Sequence, residues 1–189
     1  MVTGIILAAG FSKRFGADKL MLDFRGQPMV EKIIREAQAS KLDRLLLIYR
    51  SKELEGLARS LGVEAFYNDR AHLGQAESVK LGVKKTQAGS AYMFIMGDQP
   101  LVDAEFIDSL LEEYYKAPGL ILVPCFGDRR GNPVIFPPEL GEELLKLEGD
   151  AGGRQIMGQF SELLGYYQVE DERLGRDLDL PEDLDLLED

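Results

Sequence analysis

With 189 residues, 45% hydrophobic and 29% charged, the chain suits one globular domain spanning residues 1–189, with enough apolar side chains for a sizeable core. A formal net charge of -11 speaks against a nucleic-acid partner, which normally meets a basic face. No apolar run approaches the roughly 20 residues of a membrane span, and the first residues form a strand-like run with no secretory pattern, so a cytoplasmic protein with no membrane partner is expected.

Residues 2–7 are a short apolar run that predicts a buried strand. After the loop that follows, Phe24-Arg25-Gly26-Gln27-Pro28 reads as a turn, with Pro28 suited to the first position of a helix through Met29, Ile33, Ile34 and Ala37. Residues 44–49 predict a second strand, 51–61 a helix and 63–67 a third strand. Residues 68–73 form a connection, and Gly74 opens a helix containing Ser78, Val79 and Leu81. A fourth strand over 91–96 ends in Gly97-Asp98-Gln99-Pro100, and a helix over 103–115 precedes a strand at 120–124. Arg129-Arg130-Gly131-Asn132-Pro133 leads into a strand at 134–136, and Pro137-Pro138 introduces a helix ending near Leu147. Gly149-Asp150-Ala151-Gly152-Gly153-Arg154 precedes a helix over 155–164, and 166–169 predicts a last strand at the sheet edge. The acidic end, residues 176–184, reads as a solvated run closing in a short helix. Alternating strands and helices imply an α/β fold with parallel pairing and right-handed crossovers.

The stretch Leu7-Ala8-Ala9-Gly10-Phe11-Ser12-Lys13-Arg14-Phe15-Gly16-Ala17-Asp18-Lys19 carries the strongest functional signal. It begins where the first strand leaves the sheet, the edge at which open α/β sheets bind ligands. Small residues at Ala8, Ala9 and Gly10 let a ligand approach the main chain, and successive amides in such a loop converge on anions. Lys13, Arg14 and Lys19 add cations, Arg as a planar fork and Lys as a mobile point charge. A Walker loop is excluded, because Phe15 stands where its second glycine should be and no Lys-Ser or Lys-Thr pair follows Gly16; G-x-G-x-x-G is absent. The stretch predicts a polyphosphate cradle.

Asp98, just past the fourth strand, lies on the same edge and is a candidate ligand for a magnesium ion bridging phosphates. A helix-capping role for it is less apt, since Asp103 is better placed to cap. Asp179, ahead of a helix-starting proline, could complete the metal site or belong to the solvated acidic run. The glycine-rich segment ending at Arg154 either holds a second anion at a helix start or is a turn with Asp150 as N-cap. A triphosphate cradle, a metal carboxylate and a second basic region suggest nucleotidyl transfer, in which an acceptor attacks the α-phosphorus and pyrophosphate leaves. A phosphate-monoester acceptor, whose second pKa is about 6, is already largely dianionic at neutral pH and needs no base. That agrees with a chain whose one histidine is His72 and whose one cysteine, Cys125, forms no internal disulfide. The single histidine also leaves no basis for a His-rich zinc site or a Ser-His-Asp triad.

These motifs, LAAGFSKRFGADK, NDRAHLGQAES, GDQP, RGNPVIF, GDAGGR and DLDLPEDL, together resemble the molybdenum cofactor cytidylyltransferases within the molybdopterin nucleotidyltransferase-like group. The resemblance covers nearly the whole chain and implies a Rossmann-like three-layer α/β/α nucleotidyltransferase fold with a mostly parallel sheet. It implies transfer of CMP from CTP to the phosphate of molybdopterin, the molybdenum cofactor, with Mg2+ as the metal. By that resemblance Leu7, Ala8, Ala9 and Gly10 line the nucleotide, Arg14 and Lys19 meet its phosphates, and Asn68, Gly74 and Ser78 lie near base and ribose. Asp98 holds magnesium with help from Asp179, and Arg130, Asn132, Asp150 and Arg154 face the pterin. Guanylyl-transferring relatives usually carry LAGG and another residue after GD, so Ala9 and Gln99 favour CTP over GTP. Conversely, Gly16-Ala17-Asp18-Lys19 is close to the guanylyl pattern, and Asn132 stands where many cytidylyl members have His. Two other readings stand beside this one: nucleotidyl transfer to another phosphorylated metabolite, and a non-catalytic carrier serving a molybdenum hydroxylase apoenzyme.

Overall fold

The computed structural model describes residues 1–10 and 19–176. Seven main strands are β1 (Val2–Ala8), β2 (Arg44–Tyr49), β3 (Glu64–Tyr67), β4 (Ala91–Met96), β5 (Ile121–Phe126), β6 (Val134–Phe136) and β7 (Leu164–Val169). Six helices join them: α1 (Met29–Ala39), α2 (Lys52–Leu61), α3 (Gln75–Lys85), α4 (Ala104–Lys116), α5 (Gly141–Leu145) and α6 (Gly153–Gln159). The strands lie in one sheet in the order β7-β5-β6-β4-β1-β2-β3, and the two-residue strand Arg129–Arg130 pairs with β5. Neighbours are parallel except around β6, which runs antiparallel to both β4 and β5, while Arg129–Arg130 is antiparallel to β5. This is the mostly parallel, Rossmann-like α/β sheet that the element order implies.

Both faces are covered, which is why the inner strands read as continuous apolar runs. Along β1, Val2, Ile6 and Ala8 enter the core beneath α1, α2 and α4, whereas Ile5 and Leu7 enter the core beneath α3, α5 and α6. That alternation with a period of two makes β1 the floor of both cores and produces the three layers. Close approach of α3 to β1 depends on Gly82, where a Cβ would stand 2.6 Å from the Ile5 side chain. Among the described residues, no helix is long and apolar enough to cross a membrane.

Several boundaries differ from the sequence expectation for identifiable reasons. Pro28 sits in a two-residue ribbon strand with ψ 137, so α1 begins only at Met29. The helix expected from Pro137-Pro138 to Leu147 is a 3-10 turn followed by the short α5, and Gly141 lets the chain pass the Tyr92 hydroxyl, 2.5 Å from where a Cβ would lie. The helix expected over 155–164 ends at Gln159, because Leu164 already pairs with Ile121 in the β7–β5 ladder. Asp103 caps α4 as expected, its Oδ1 accepting from the Phe106 amide at 2.8 Å.

The first amide of α4 has a second anchor. Ala104 donates to Glu36 Oε2 at 2.9 Å, and Lys32 donates to Glu36 Oε1, so one carboxylate of α1 fastens the start of α4. Burial pushes the Glu36 carboxyl up, but the Lys32 hydrogen bond, the Ala104 amide and the Lys32 charge together hold it below the ordinary 4.5. A carboxyl depressed in the folded state contributes stability above its unfolded value and loses it as pH falls through the folded one. Glu36→Ala should therefore lower stability by about 1–2 kcal/mol at pH 7. In urea melts at descending pH, the gap between variant and wild type should narrow below about pH 4.5.

Candidate active site

The parallel ladders set the candidate residues side by side on the carboxyl edge. Ala8 pairs with Tyr49, Tyr49 with Tyr67, and Leu7 with Met96, so Gly10, Arg50, Asn68 and Asp98 each follow a neighbouring strand. Strand β6 enters the sheet from the same edge, with Val134 opposite Phe94, which brings Asn132 next to the Gly97-Asp98 end of β4. Adjacent strands stand about 4.8 Å apart, so the row from Asn68 to Asn132 spans four gaps, roughly 19 Å. That length accommodates a nucleotide and an acceptor in line.

At the centre of the row, Gly97 donates its amide to Leu7 O at 3.2 Å, continuing the β1–β4 contact past the last ladder pair. A Cβ at Gly97 would lie 3.1 Å from that same oxygen, so the small residue permits the approach. The next residue, Asp98, is thereby placed beside the β1 loop. Its Oδ2 accepts from Lys19 Nζ at 3.1 Å, with the Lys19 side chain 10% exposed and that of Asp98 26%. Lys19 belongs to a 3-10 turn, Lys19–Met21, whose Leu20 packs into the core and whose Lys19 is carried inward with it. A lysine at this depth needs a counter-charge, and Asp98 supplies one. Among the described residues, the buried Asp98 Oδ1 has no hydrogen-bond partner, and neither has the buried Oε1 of the neighbouring Gln99. Such groups are uncommon in folded chains and invite a ligand.

Leu7, Ala8 and Ala9 are buried. Gly10 is exposed, and among the described residues a Cβ there would meet nothing within 4 Å. Arg14, expected on the phosphates, and Asp179, expected to help hold the metal, lie outside the described residues. Arg50, which no sequence motif singles out, donates its Nε to Gly10 O at 3.0 Å. The signal available for it was a basic residue directly after a buried strand of the same edge.

Asn68 and Ser78 are brought together: Asn68 Nδ2 donates to Ser78 Oγ at 2.9 Å, and Asn68 Oδ1 accepts from the Arg70 amide at 3.0 Å. Both residues are buried, so they brace the wall that closes the row at β3. Glu77 strengthens the brace, taking Lys80 Nζ at 2.6 Å and Arg70 Nε at 3.2 Å. The Lys80 hydrogen bond outweighs burial and holds the Glu77 carboxyl below the usual carboxylate range.

Gly74 joins this wall to the second glycine-rich segment. Its φ of +116 favours glycine, and a Cβ would stand 2.2 Å from Gly149 O, while that carbonyl accepts the Ala76 amide at 3.0 Å. Gly149 thus satisfies an amide at the start of α3. Asp150 is exposed, and α6 begins after Gly152 with no side-chain cap, so the N-cap alternative for Asp150 is not what the chain adopts. Arg154 is exposed on the first turn of α6. Arg130, also exposed, lays its guanidinium over the Tyr166 ring, 5.1 Å from the centroid. Asn132 is half-buried at the entrance to β6.

With this geometry in view, residues 4–163 match the family described as MobA-like NTP transferase domain. The chain belongs to the MobA-like NTP transferase family. It is a nucleotidyltransferase, and the row of residues along the carboxyl edge is its candidate active site. The purine catabolism protein PucB of Bacillus subtilis is 27% identical over 97% of this chain and 94% of its own length. A probable molybdenum cofactor guanylyltransferase of Pyrococcus furiosus is 34% identical over 66% of this chain and 61% of its own. Among solved structures, the manganese complex of Rv0371C from Mycobacterium tuberculosis superposes with a TM-score of 0.79 at 21% identity, covering 98% of this chain and 97% of that one.

Two glycines of the site should respond oppositely to one added methyl group. Gly74→Ala forces a Cβ into backbone at a φ that disfavours it and should cost about 2 kcal/mol or more. Gly10→Ala meets open space and should leave the melting temperature within about 2 °C of wild type in the same thermal scan.

Proposed function

We propose that this chain is a magnesium-dependent cytoplasmic enzyme, a single catalytic unit over residues 1–189, that transfers CMP from CTP to the phosphate of molybdopterin, the molybdenum cofactor, releasing pyrophosphate. The observation that carries the reading is the buried, unpartnered Oδ1 of Asp98 beside Lys19 at the mouth of the β1 loop. Asp98, whose buried Oδ1 accepts no hydrogen bond among the described residues, is the carboxylate we assign to a metal. One or two carboxylates agree with magnesium, which keeps waters and substrate phosphates as its other ligands. When bound, the ion would neutralise negative charge on the phosphates.

Lys19 has a double use in this reading. It keeps Asp98 compensated until the nucleotide arrives, and it then meets the phosphates together with Arg14. Main-chain groups at Ala8, Ala9 and Gly10 approach the nucleotide, and the Asn68–Ser78 wall closes the base end. Asn132 and Arg130 extend the row away from the α-phosphorus and orient the acceptor, with Asp150 and Arg154 reaching it from the second glycine-rich segment. No side chain need remove a proton, because the acceptor phosphate attacks as a dianion. Catalysis then rests on alignment and charge neutralisation.

CTP is favoured by Ala9 and Gln99 through the resemblance to cytidylyl-transferring members. GTP is the second reading, supported by the name and 34% identity of the Pyrococcus furiosus relative. Pyrophosphate release with magnesium, the cofactor acceptor and either nucleotide should be faster with CTP; equal or faster release with GTP would reassign the base. Asp98→Asn should lower kcat by about a hundredfold or more in this assay. Turnover near wild type in that variant would remove Asp98 from the mechanism.

A further inference from the structure

We propose that Arg50 is a positioning residue for nucleotide binding, acting through the carbonyl of Gly10. The inference rests on the nucleotidyltransferase reading of the edge and adds a residue to it. Register places the two residues side by side, since Ala8 is opposite Tyr49 and the strands end together. Arg50 Nε donates to Gly10 O at 3.0 Å, a contact between segments 40 residues apart. Gly10 is exposed and, among the described residues, nothing lies within 4 Å of a would-be Cβ, so packing by those residues does not hold its backbone. A carbonyl gripped by a side chain fixes the plane of its peptide, and at this point the main chain itself must meet the ligand. On the far side of β1, the Gly97 amide holds Leu7 O. The stem of the loop is thus tied on one side to Gly97, just past β4, and on the other to Arg50, just past β2.

The atom that makes the contact distinguishes anchoring from direct phosphate binding. Nε stands four bonds from Cα in arginine, and glutamine carries its amide nitrogen at the same number of bonds. Arg50→Gln therefore keeps a donor for Gly10 O while losing the charge; Arg50→Ala loses both, and Arg50→Lys keeps the charge with its donor one bond farther out.

Calorimetric Kd values for magnesium-loaded CTP and GTP, KM for nucleotide and acceptor separately, and melting temperatures should be measured for all three variants. Arg50→Ala should weaken nucleotide binding about five- to tenfold, the scale of a hydrogen bond, with acceptor KM unchanged. Arg50→Gln should bind within about twofold of wild type. An Arg50→Gln variant as weak as Arg50→Ala beside a fully active Arg50→Lys would overturn anchoring in favour of a charge contact. Unchanged nucleotide affinity in Arg50→Ala would overturn any role. A wild-type protein that binds neither nucleotide would instead reject the underlying reading, so the two failures are separable.

Discussion

An ion pair drawn under the edge of a parallel sheet organises this molecule. Lys19 and Asp98 are 79 residues apart, yet they meet because the amide of Gly97 continues the β1–β4 contact and because the turn at Lys19–Met21 sinks Leu20 into the core. Removing a lysine from water is costly unless a counter-charge is at hand. Asp98 uses one oxygen for this and leaves the other buried without a partner. In the function we propose, a polyanion with a cation replaces this pair, the phosphates taking Lys19 and the cation Asp98. A buried network left partly unsatisfied is unusual in a stable fold, and it coincides here with the place where ligands enter α/β sheets.

The surrounding structure holds this edge through backbone contacts more than through side-chain packing. Gly97 admits the Leu7 carbonyl, and Gly74 admits the carbonyl of Gly149, which in turn completes the start of α3. The wall at β3 and the second glycine-rich segment are therefore joined directly through backbone. Asn68, Ser78 and the Glu77 ion pairs stiffen that piece from within. In the proposed function the donor and acceptor ends of the row are thus set by the same frame, which suits a reaction that depends on alignment.

Much of this was legible in the sequence. Strands such as Arg44–Tyr49 and Ala91–Met96 could be read to the residue, because burial on both faces writes them as unbroken apolar runs between polar ends. The ligand edge was legible too, because glycine and aspartate directly after buried strands sit there by topology alone. Reversal of β6 is a matter of connection length: the segment over residues 127–133 is too short for a crossover, so the chain must return antiparallel. The ends of α5 and α6 were hidden because they are set by long-range events, the passage of Gly141 under the Tyr92 hydroxyl and the pairing of Leu164 with Ile121. Arg50 escaped for a similar reason. Its contact with Gly10 is created by strand register, and the local signal, a basic residue directly after a buried strand, marks the edge without naming the partner.

The central claim is that Asp98 and Lys19 exchange each other for a metal-bound nucleotide. A crystal structure grown with magnesium and a non-hydrolysable CTP or GTP analogue tests it most directly. The account predicts a magnesium ion about 2.1 Å from an Asp98 carboxylate oxygen, with Lys19 Nζ turned from Asp98 onto a phosphate oxygen. A nucleotide bound away from the β1 loop, or one bound there with the Lys19–Asp98 pair intact and no metal on Asp98, would contradict it.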